Sequence, residues 1–281
     1  MLLDTAALYF RAFHGVPDTV RAPDGSPVNA VRGLLDMIAK FVGEFEPTEI
    51  VACWDDDWRP QWRVDLIPSY KAHRVARETD AGSVEELPDL LAPQVPVIRE
   101  VLAQLGIPVV GMADYEADDV IGTLASRSRI PVDIVTGDRD LIQLVDDAHD
   151  VRVIYTGRGM SNLDLLTDGA VEKKYGVTPR QYVDFAVLRG DPSDGLPGVA
   201  GIGEKTAVAL LTEFGSLDGI IAAAADPKIP LGAAVRSKVN AASDYLAVAT
   251  KVVEVARNLD HADHAGRITA ITPQPAVALH G

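Results

Sequence analysis

Two patterns of hydrophobic residues alternate in the first part of the chain. Short apolar and β-branched runs, which are typical of buried strands, recur between longer segments with helical spacing. The predicted strands are MLLD, EIVACWD, IPVV, VDIVTGD and VRVIYT. The segments VNAVRGLLDMIAKFVGEF and QVPVIREVLAQLG are predicted to be helices. This alternation predicts an α/β domain with a largely parallel central sheet flanked by helices.

Helical patterns replace the strand pattern after about residue 170. The stretch TPRQYVDFAVLRG opens with a capping-box pattern, in which Thr178 is the N-cap, Pro179 follows it and Gln181 lies three residues after the cap. A glycine-rich turn follows, and the helix after it is predicted to end at Gly215. These patterns predict a second, helical unit.

The length of 281 residues and the apolar content of 47% are sufficient for one large domain or two modest ones. We predict a catalytic domain at 1–170, a helical domain at 171–260 and a surface tail at 261–281. His261 and His264 are expected to be solvated in that tail rather than to bind a metal. The single cysteine, Cys53, lies in an apolar run and is expected to be a buried thiol.

A long, charged segment with weak periodicity extends from Tyr70 to about residue 93. It begins with basic residues, including Lys71 and Arg74, and its later half is acidic. Long segments of this kind within compact domains tend to be functional lids or disordered loops. Both interpretations remain open from the pattern alone.

Three of the predicted strands end in an aspartate, namely Asp4, Asp55 and Asp138. Ligands of open α/β sheets bind at the carboxyl ends of the strands. We therefore expect these three side chains to lie together at one edge of the sheet, although they are far apart in the sequence.

The stretch ADYEADDVIG, residues 113–122, places four carboxylates at the start of a predicted helix. Acids at this position can cap backbone N–H groups, and Asp114 is predicted to be the N-cap. Crowded ionised carboxylates also repel one another unless solvent or a cation neutralises them. Capping and cation binding are both open interpretations of this stretch.

The candidate metal ligands share positions at strand ends, at helix starts or in the loop GDPSDGLPG. They are Asp4, Asp55, Glu116, Asp118, Asp119, Asp138, Asp140, Asp191 and Asp194. Oxygen ligands without histidine or cysteine select hard cations such as Mg²⁺ or Mn²⁺. Such a site can hold two ions about 3.5–4 Å apart, an arrangement used in phosphodiester cleavage.

The formal net charge of −15 argues at first against a nucleic-acid partner, which normally requires a basic surface. The nine candidate ligands account for more than half of this charge, so the objection weakens if cations offset them. The N-terminus lacks the basic region of a signal peptide, and no apolar run has membrane length. The expected compartment is the cytoplasm, with no membrane partner.

The ordered motifs of this chain resemble those of the 5′ nuclease, or flap endonuclease, family, and especially the 5′→3′ exonuclease domain of bacterial DNA polymerase I. They cover about residues 2–215 and are LLD with LYFRAFHG, CWD with WRVDLIPSYKAHR, DYEADDVIGTLA, VTGDRDLIQLV, YGVTP and GDPSDGLPGVAGIGEKTA. The resemblance implies a PIN-like domain with a helical arch at about 71–93, followed by a helix-hairpin-helix domain of the H3TH type.

The resemblance also implies roles for individual residues. Asp4, Asp55, Glu116, Asp118 and Asp119 would surround one metal position, and Asp138, Asp140, Asp191 and Asp194 would serve a second, some of them through water. Lys71 and Arg74 would contact the scissile phosphate, and Tyr9 and Arg11 would lie near the cleavage site.

The glycine-rich turn of the second domain resembles a helix-hairpin-helix that binds DNA phosphates. Its implied DNA contacts are Gly201, Gly203, Lys205 and Thr206. The backbone of Gly198, Val199 and Ile202 matches a hairpin that in relatives can hold a monovalent cation, usually K⁺. Gly195 stands where asparagine is common in the family, and we expect this change to loosen its loop.

The implied function is a structure-specific, Mg²⁺- or Mn²⁺-dependent 5′→3′ exonuclease and 5′-flap endonuclease acting in DNA replication and repair. Its expected substrates are duplex/single-strand junctions, RNA-primed flaps included, and the protein is expected to be a monomer associated with the nucleoid. A non-catalytic DNA-junction binding homologue is the alternative. An RNA-cleaving PIN-type nuclease and an aspartyl phosphatase fit less well, because the helical domain has no role in either.

Overall fold

The computed structural model describes residues 1–79 and 82–259. Its strands are β1 (Leu2–Asp4), β2 (Val51–Cys53), β3 (Val75–Thr79), β4 (Gly82–Glu85), β5 (Val109–Val110), β6 (Val132–Thr136), β7 (Val151–Tyr155) and β8 (Asp164–Leu166). All the predicted strands are therefore present. The predicted tail at 261–281, with His261 and His264, lies outside the described residues.

The helices of the first half are α1 (Thr5–Gly15), α2 (Asn29–Phe45), α3 (Gln61–Leu66), α4 (Gln94–Gln104) and α5 (Ala117–Arg127). Those of the second half are α6 (Asp168–Tyr175), α7 (Tyr182–Arg189), α8 (Glu204–Phe214), α9 (Leu217–Ala225), α10 (Ala233–Ala241) and α11 (Ser243–Val253). The predicted boundary between residues 170 and 171 falls inside α6.

The central sheet has the strand order β5-β2-β1-β6-β7-β8 within the described residues. Neighbouring strands are parallel except for β7 and β8, which are antiparallel. The prediction of a largely parallel sheet is confirmed. The short strand β1 lies inside the sheet, and it is anchored because it pairs with both β2 and β6.

Hydrophobic residues cover both faces of this sheet. Leu2 and Leu3 alternate along β1, and they belong to two different hydrophobic clusters. The cluster around Leu3 includes apolar residues of α1, α2 and α4. The cluster around Leu2 includes α5 and continues into α7–α11. The second unit therefore shares a continuous core with the sheet.

The predicted start and end signals of the second unit are present. Thr178 and Gln181 form a capping box ahead of α7, because each side chain accepts a hydrogen bond from the other residue's backbone N–H. Helix α8 ends at Gly215, as predicted. After α11 the chain returns to the first unit, where the N–H of Val255 donates to Gln143.

The prediction that residues 71–93 form a helical arch is wrong. The segment begins with one 3₁₀ turn, Ala72–Arg74, and continues as an antiparallel hairpin of β3 and β4. Buried Arg59 holds this hairpin, since its guanidinium donates to Glu78 at 3.1 Å and to Ser83 at 2.8 Å. The weak helical periodicity of the segment agrees with this alternative pairing.

In the described part of the chain, no single helix has the length and apolar character required to cross a membrane. Helices α8 and α9 meet those two criteria only as a pair, and the pair is bent by 83°.

Candidate active site

The acids that end neighbouring strands line one cleft. Asp4 is the last residue of β1, while Asp55 and Asp138 follow β2 and β6. These three strands are adjacent and parallel, so their carboxyl ends share one edge of the sheet. The cleft at this edge has a volume of about 980 Å³, and all three aspartates line it. The predicted convergence is confirmed.

Helix α5 adds two more carboxylates to this cleft, those of Glu116 and Asp118. Glu116 is the N-cap of the helix, so the prediction that Asp114 caps it is wrong. Asp114 has a positive φ of 65°, and its carbonyl accepts a hydrogen bond from the indole of Trp62 at 3.1 Å. It therefore belongs to the turn before the helix.

Burial and mutual repulsion raise the pKa values of three acids in the cleft. Burial raises the pKa of Asp4 to about 7, with the charges of Asp55 and Asp138 adding to the effect and a hydrogen bond from Thr136 opposing it. Burial also raises the pKa of Asp55 to about 6, although Lys71 opposes the shift. The pKa of Asp118 is raised well above its usual value by burial and by the charges of Asp4 and Asp138.

A second group of acids, Asp140, Asp191 and Asp194, is not among the residues that line the cleft. Burial, followed by the charges of Asp138, Asp194 and Asp191, raises the pKa of Asp140 well above its usual value. Burial also raises the pKa of Asp194, and Lys71 and Arg74 oppose that shift. Asp138 lies between the two groups, because its charge acts on both Asp118 and Asp140.

The donor set of this cleft fits a hard divalent cation. Asp4, Asp55, Asp118 and Asp138 provide only oxygen ligands, and a bound cation would relieve the repulsion that contributes to the raised pKa values of Asp4 and Asp118. Among residues 1–79 and 82–259, no three potential ligands are grouped closely enough to hold an ion by themselves. Mg²⁺ usually keeps several waters and binds through one or two carboxylates plus substrate phosphates, so the looser grouping suits it.

Asp119 does not fit the predicted role of metal ligand. Its two oxygens accept a bidentate pair of hydrogen bonds from buried Arg63, both at 2.8 Å. They also accept the N–H groups of Glu116 at 3.2 Å and Ala256 at 2.8 Å. These four donors occupy the carboxylate, which is fully buried and absent from the lining of the cleft.

Asp191 is also engaged with basic side chains. One of its oxygens lies 3.3 Å from the guanidinium of Arg139 and 3.2 Å from that of Arg189. The other accepts hydrogen bonds from the N–H and hydroxyl of Ser193. These bonds shape the loop that carries Asp194.

The predicted basic pair lies beside the acids. The ammonium of Lys71 donates to Glu116 at 2.8 Å, and the hydroxyl of Tyr70 donates to the same carboxylate at 2.8 Å. Arg74 lies 3.3 Å from Asp194 and also lines the cleft. Lys71 and Arg74 therefore line the cleft beside its acids.

Gly195 brings the second unit into contact with this basic pair. Its φ is 69°, and a Cβ at this position would lie 2.0 Å from the carbonyl oxygen of Ser69. Its own carbonyl accepts the Ser69 hydroxyl at 2.7 Å, and the neighbouring Asp194 carbonyl accepts the N–H of Lys71 at 2.9 Å. The expectation that glycine loosens this loop is wrong, because glycine permits the close contact.

The ring of Tyr9 packs in the core against Trp54, and Tyr9 is not among the residues that line the cleft. Burial, followed by the charges of Asp55, Glu85 and Asp4, raises the pKa of its hydroxyl, so Tyr9 lies directly behind the acids. The next residue, Phe10, lines the cleft together with Arg11 and His14, because these positions share one face of α1. The Nε atom of Arg11 is buried without a hydrogen-bond partner in the described structure. The guanidinium of Arg11 is therefore available to an anion in the cleft.

Sequence reasoning missed several residues at or next to the site, namely Phe10, Arg63 and Tyr70. The spacing of buried Thr5, Leu8, Tyr9 and Ala12 along α1 is the signal that could have oriented that helix.

The glycine-rich turn presents a helix start to solvent. Gly203 is the N-cap of α8, and Lys205 and Thr206 lie in its first turn. Gly201, Gly203 and Lys205 are exposed. A helix start without a side-chain cap leaves N–H groups directed at any nearby anion. The four predicted DNA contacts thus lie on one exposed corner.

The backbone implied to hold K⁺ lies in the same turn. Val199 and Ile202 are buried, and the carbonyl of Val199 accepts the N–H of Ile202 at 2.9 Å. Gly198 packs against Gly190, so closely that a Cβ on Gly198 would lie 2.5 Å from the Gly190 nitrogen. The carbonyl of Gly201 accepts a hydrogen bond from the ammonium of Lys238 at 2.9 Å.

Comparisons with known proteins agree with this architecture. Residues 1–176 match the family described as 5′-3′ exonuclease, N-terminal resolvase-like domain, and residues 177–274 match 5′-3′ exonuclease, C-terminal SAM fold. A 5′-3′ exonuclease of Streptomyces coelicolor is 61% identical over 99% of this chain and 93% of its own length. A 5′-3′ exonuclease of Mycobacterium tuberculosis is 52% identical over 91% of this chain and 83% of its own length.

Solved structures share the fold. The T5 5′-exonuclease with bound zinc ions superposes with a TM-score of 0.68 at 19% identity, covering 90% of this chain and 88% of that one. The catalytic core of Rad2 in complex with DNA substrate gives a TM-score of 0.57 at 15% identity, covering 92% and 79%. The family matches and the close relatives show that this chain belongs to the 5′-3′ exonuclease family.

Proposed function

We propose that this protein hydrolyses DNA phosphodiester bonds as a 5′→3′ exonuclease and 5′-flap endonuclease, with Mg²⁺ or Mn²⁺ as its cofactor. One observation carries the proposal. Asp4, Asp55, Asp118 and Asp138 converge in one cleft without ion-pair partners among the described residues, beside the cations of Lys71 and Arg74. This combination suits a cation-assisted reaction at a phosphate.

The first metal position would be held by Asp4, Asp55, Glu116 and Asp118, and the second by Asp138, Asp140 and Asp194. When bound, divalent cations activate water and neutralise charge on the phosphate during in-line displacement. Asp119 would position α5 through Arg63, and Asp191 would shape the loop of Asp194. We propose these two residues as supports rather than direct ligands.

The basic residues of the cleft would bind and orient the scissile phosphate. Lys71 reaches Glu116 and would share its ammonium with a phosphate oxygen, since an ammonium has three donors. Arg11 has a guanidinium nitrogen without a partner, and Arg74 is partly exposed. Hydrogen-bond donors that are already directed at the negative charge of the transition state lower the activation barrier, because they need not reorganise during the reaction.

The helix start at α8 would bind the backbone of duplex DNA. Contacts from Gly201, Gly203, Lys205 and Thr206 would position the duplex without reading its sequence. The substrates would be duplex/single-strand junctions, including RNA-primed 5′ flaps, bound by a monomer. Removal of primers and flaps in replication and repair is the process that this activity serves.

A labelled 5′-flap duplex tests the proposal. We expect cleavage near the junction in Mg²⁺ or Mn²⁺, with 5′-phosphate and 3′-hydroxyl ends on the products, and no cleavage in excess chelator. Stoichiometric binding without cleavage in either metal would overturn the proposal and favour the non-catalytic homologue.

A further inference from the structure

The ammonium of Lys238 reaches the DNA-binding turn from another helix. Lys238 lies in the last turn of α10, and its Nζ atom donates to the carbonyl of Gly201 at 2.9 Å. Gly201 has a φ of 75°, and a Cβ there would lie 2.8 Å from Nζ. Glycine therefore gives the turn its shape and also leaves room for the ammonium.

Arg236 anchors helix α10, which carries this lysine, to the end of α9. The guanidinium of Arg236 donates to the carbonyls of Ala223 and Ala224 at the end of α9, at 2.6 and 2.7 Å, and to that of Ile229 at 2.7 Å. Val239, next to Lys238, is buried. An ammonium placed in advance costs less ordering entropy when a ligand arrives.

The ammonium of Lys238 competes for this turn with the monovalent cation that the family resemblance implies. A cation held by backbone requires several carbonyl oxygens directed at one point. In this turn the carbonyl of Val199 is bonded to Ile202, and that of Gly201 is bonded to Lys238. A second cation beside an ammonium would also be repelled.

We propose that Lys238 supplies the cation of this hairpin and binds a phosphate of duplex DNA in place of K⁺. Lys238 is exposed, and its ammonium has two donors left after the bond to Gly201. Gly203 and Lys205, at the exposed start of α8, are the neighbouring groups of the same turn. The inference rests on the proposed function only in taking duplex DNA as the ligand.

Binding of a fluorescent duplex in chelator, where no cleavage occurs, tests this assignment. We expect the wild-type protein to bind equally well in KCl and in tetramethylammonium chloride at the same concentration. Lys238→Met should weaken binding by about tenfold. It should also reduce the slope of log K against log salt concentration by about 1.

Two further variants separate the charge at this position from other effects. Lys228 is an exposed lysine of the same unit, so Lys228→Met removes an equal charge and should keep the wild-type salt slope. Lys238→Arg should restore most of the affinity because it keeps a cation at the turn. Thermal melting of each variant identifies any loss of affinity that comes from unfolding.

Two results would overturn the assignment. One is a loss of wild-type affinity by fivefold or more, roughly, when tetramethylammonium replaces K⁺. The other is equal binding by folded Lys238→Met and Lys228→Met. The assay reads binding alone, so a wild-type protein that binds DNA without cleaving it would refute the nuclease proposal and leave this inference standing.

Discussion

The acids at the cleft and the acids behind it differ in their partners. Asp118 and Asp138 line the cleft, and no ion pair holds either of them in the described part of the chain. Asp119 and Asp191 are bonded to arginines, namely Arg63 for the former and Arg139 with Arg189 for the latter. Adjacent residues of one helix, Asp118 and Asp119, therefore have opposite environments.

The difference shows how one acidic sequence can serve two purposes. A paired carboxylate is already neutralised and fixes the geometry of its surroundings, whereas an unpaired buried carboxylate must hold a proton or await a cation. Asp4, Asp55 and Asp118 have raised pKa values and belong to the unpaired group. Asp194 is intermediate, because its pKa is raised although it pairs with Arg74. Substitutions in the unpaired group and in the paired group should therefore have different effects on activity and stability.

Replacement of an unpaired acid should have the largest effect on activity. Asp118→Asn should lower the rate of flap cleavage on the order of 10³-fold, because it removes a cation ligand while keeping the size of the side chain. Asp114→Asn is the matched control, since Asp114 is exposed and asparagine tolerates its positive φ. Equal cleavage rates for the two variants would contradict this difference.

Replacement of a paired acid should act on stability. Asp119→Asn removes the bidentate partner of buried Arg63 and leaves only the carboxylate of Glu116, 3.6 Å away, so the free energy of unfolding should fall by about 3 kcal/mol. Asp118→Asn should leave stability unchanged or raise it, because it removes repulsion from Asp4 and Asp138. Urea unfolding of both variants without metal measures this contrast. A reversed order of stabilities would show that the two groups are wrongly assigned.

Stability should depend on pH through the unpaired acids. The native pKa values of Asp4 and Asp55 are raised to about 7 and about 6, so the folded protein holds protons that the unfolded chain has already released. The contribution of these groups to stability should fall as pH rises from about 4 towards 7, and Mg²⁺ should reduce this fall. Melting temperatures at pH 5 and pH 8, with and without Mg²⁺, test the sign. If the pH dependence of the melting temperature is the same with and without Mg²⁺, other groups dominate the pH dependence of stability.

Substitutions of the two neighbouring aromatic residues of α1, Tyr9 and Phe10, should have the smallest effect on cleavage. Phe10→Ala should slow cleavage by about tenfold if its ring stacks on a base in the cleft, with little change in stability. Tyr9→Phe should leave cleavage unchanged, because the ring of Tyr9 packs against Trp54 and Tyr9 does not line the cleft. The cleavage rates of both variants should be measured at saturating and at limiting substrate concentrations. A slower Tyr9→Phe enzyme with normal stability would restore a catalytic role for the hydroxyl.

The regular parts of the fold could be predicted because local signals and tertiary structure agree. The β-branched runs became β1, β2, β5, β6 and β7, and the capping pattern of Thr178 and Gln181 formed as expected. The convergence of Asp4, Asp55 and Asp138 followed from sheet topology alone. These predictions required only the period of the hydrophobic residues and the position of each acid after a strand.

Other features depended on contacts that no local pattern contains. The hairpin of β3 and β4 is held by Arg59 from outside the segment, so its own weak periodicity could not specify it. Tyr9 and Phe10 differ by about 100° around the axis of α1, and packing alone decides which of them faces the cleft. The pairing of Asp119 with Arg63 joins residues 56 positions apart in the sequence.

Binding of Mn²⁺ tests the central claim most directly. Wild-type protein and Asp138→Asn should be titrated with Mn²⁺ at pH 7.5, with free ion measured by electron paramagnetic resonance. Asp138 lies between the two groups of acids, so we predict that the variant loses at least one bound ion or about tenfold in affinity. Identical binding curves for a folded variant would contradict the assignment of the unpaired acids as the metal site.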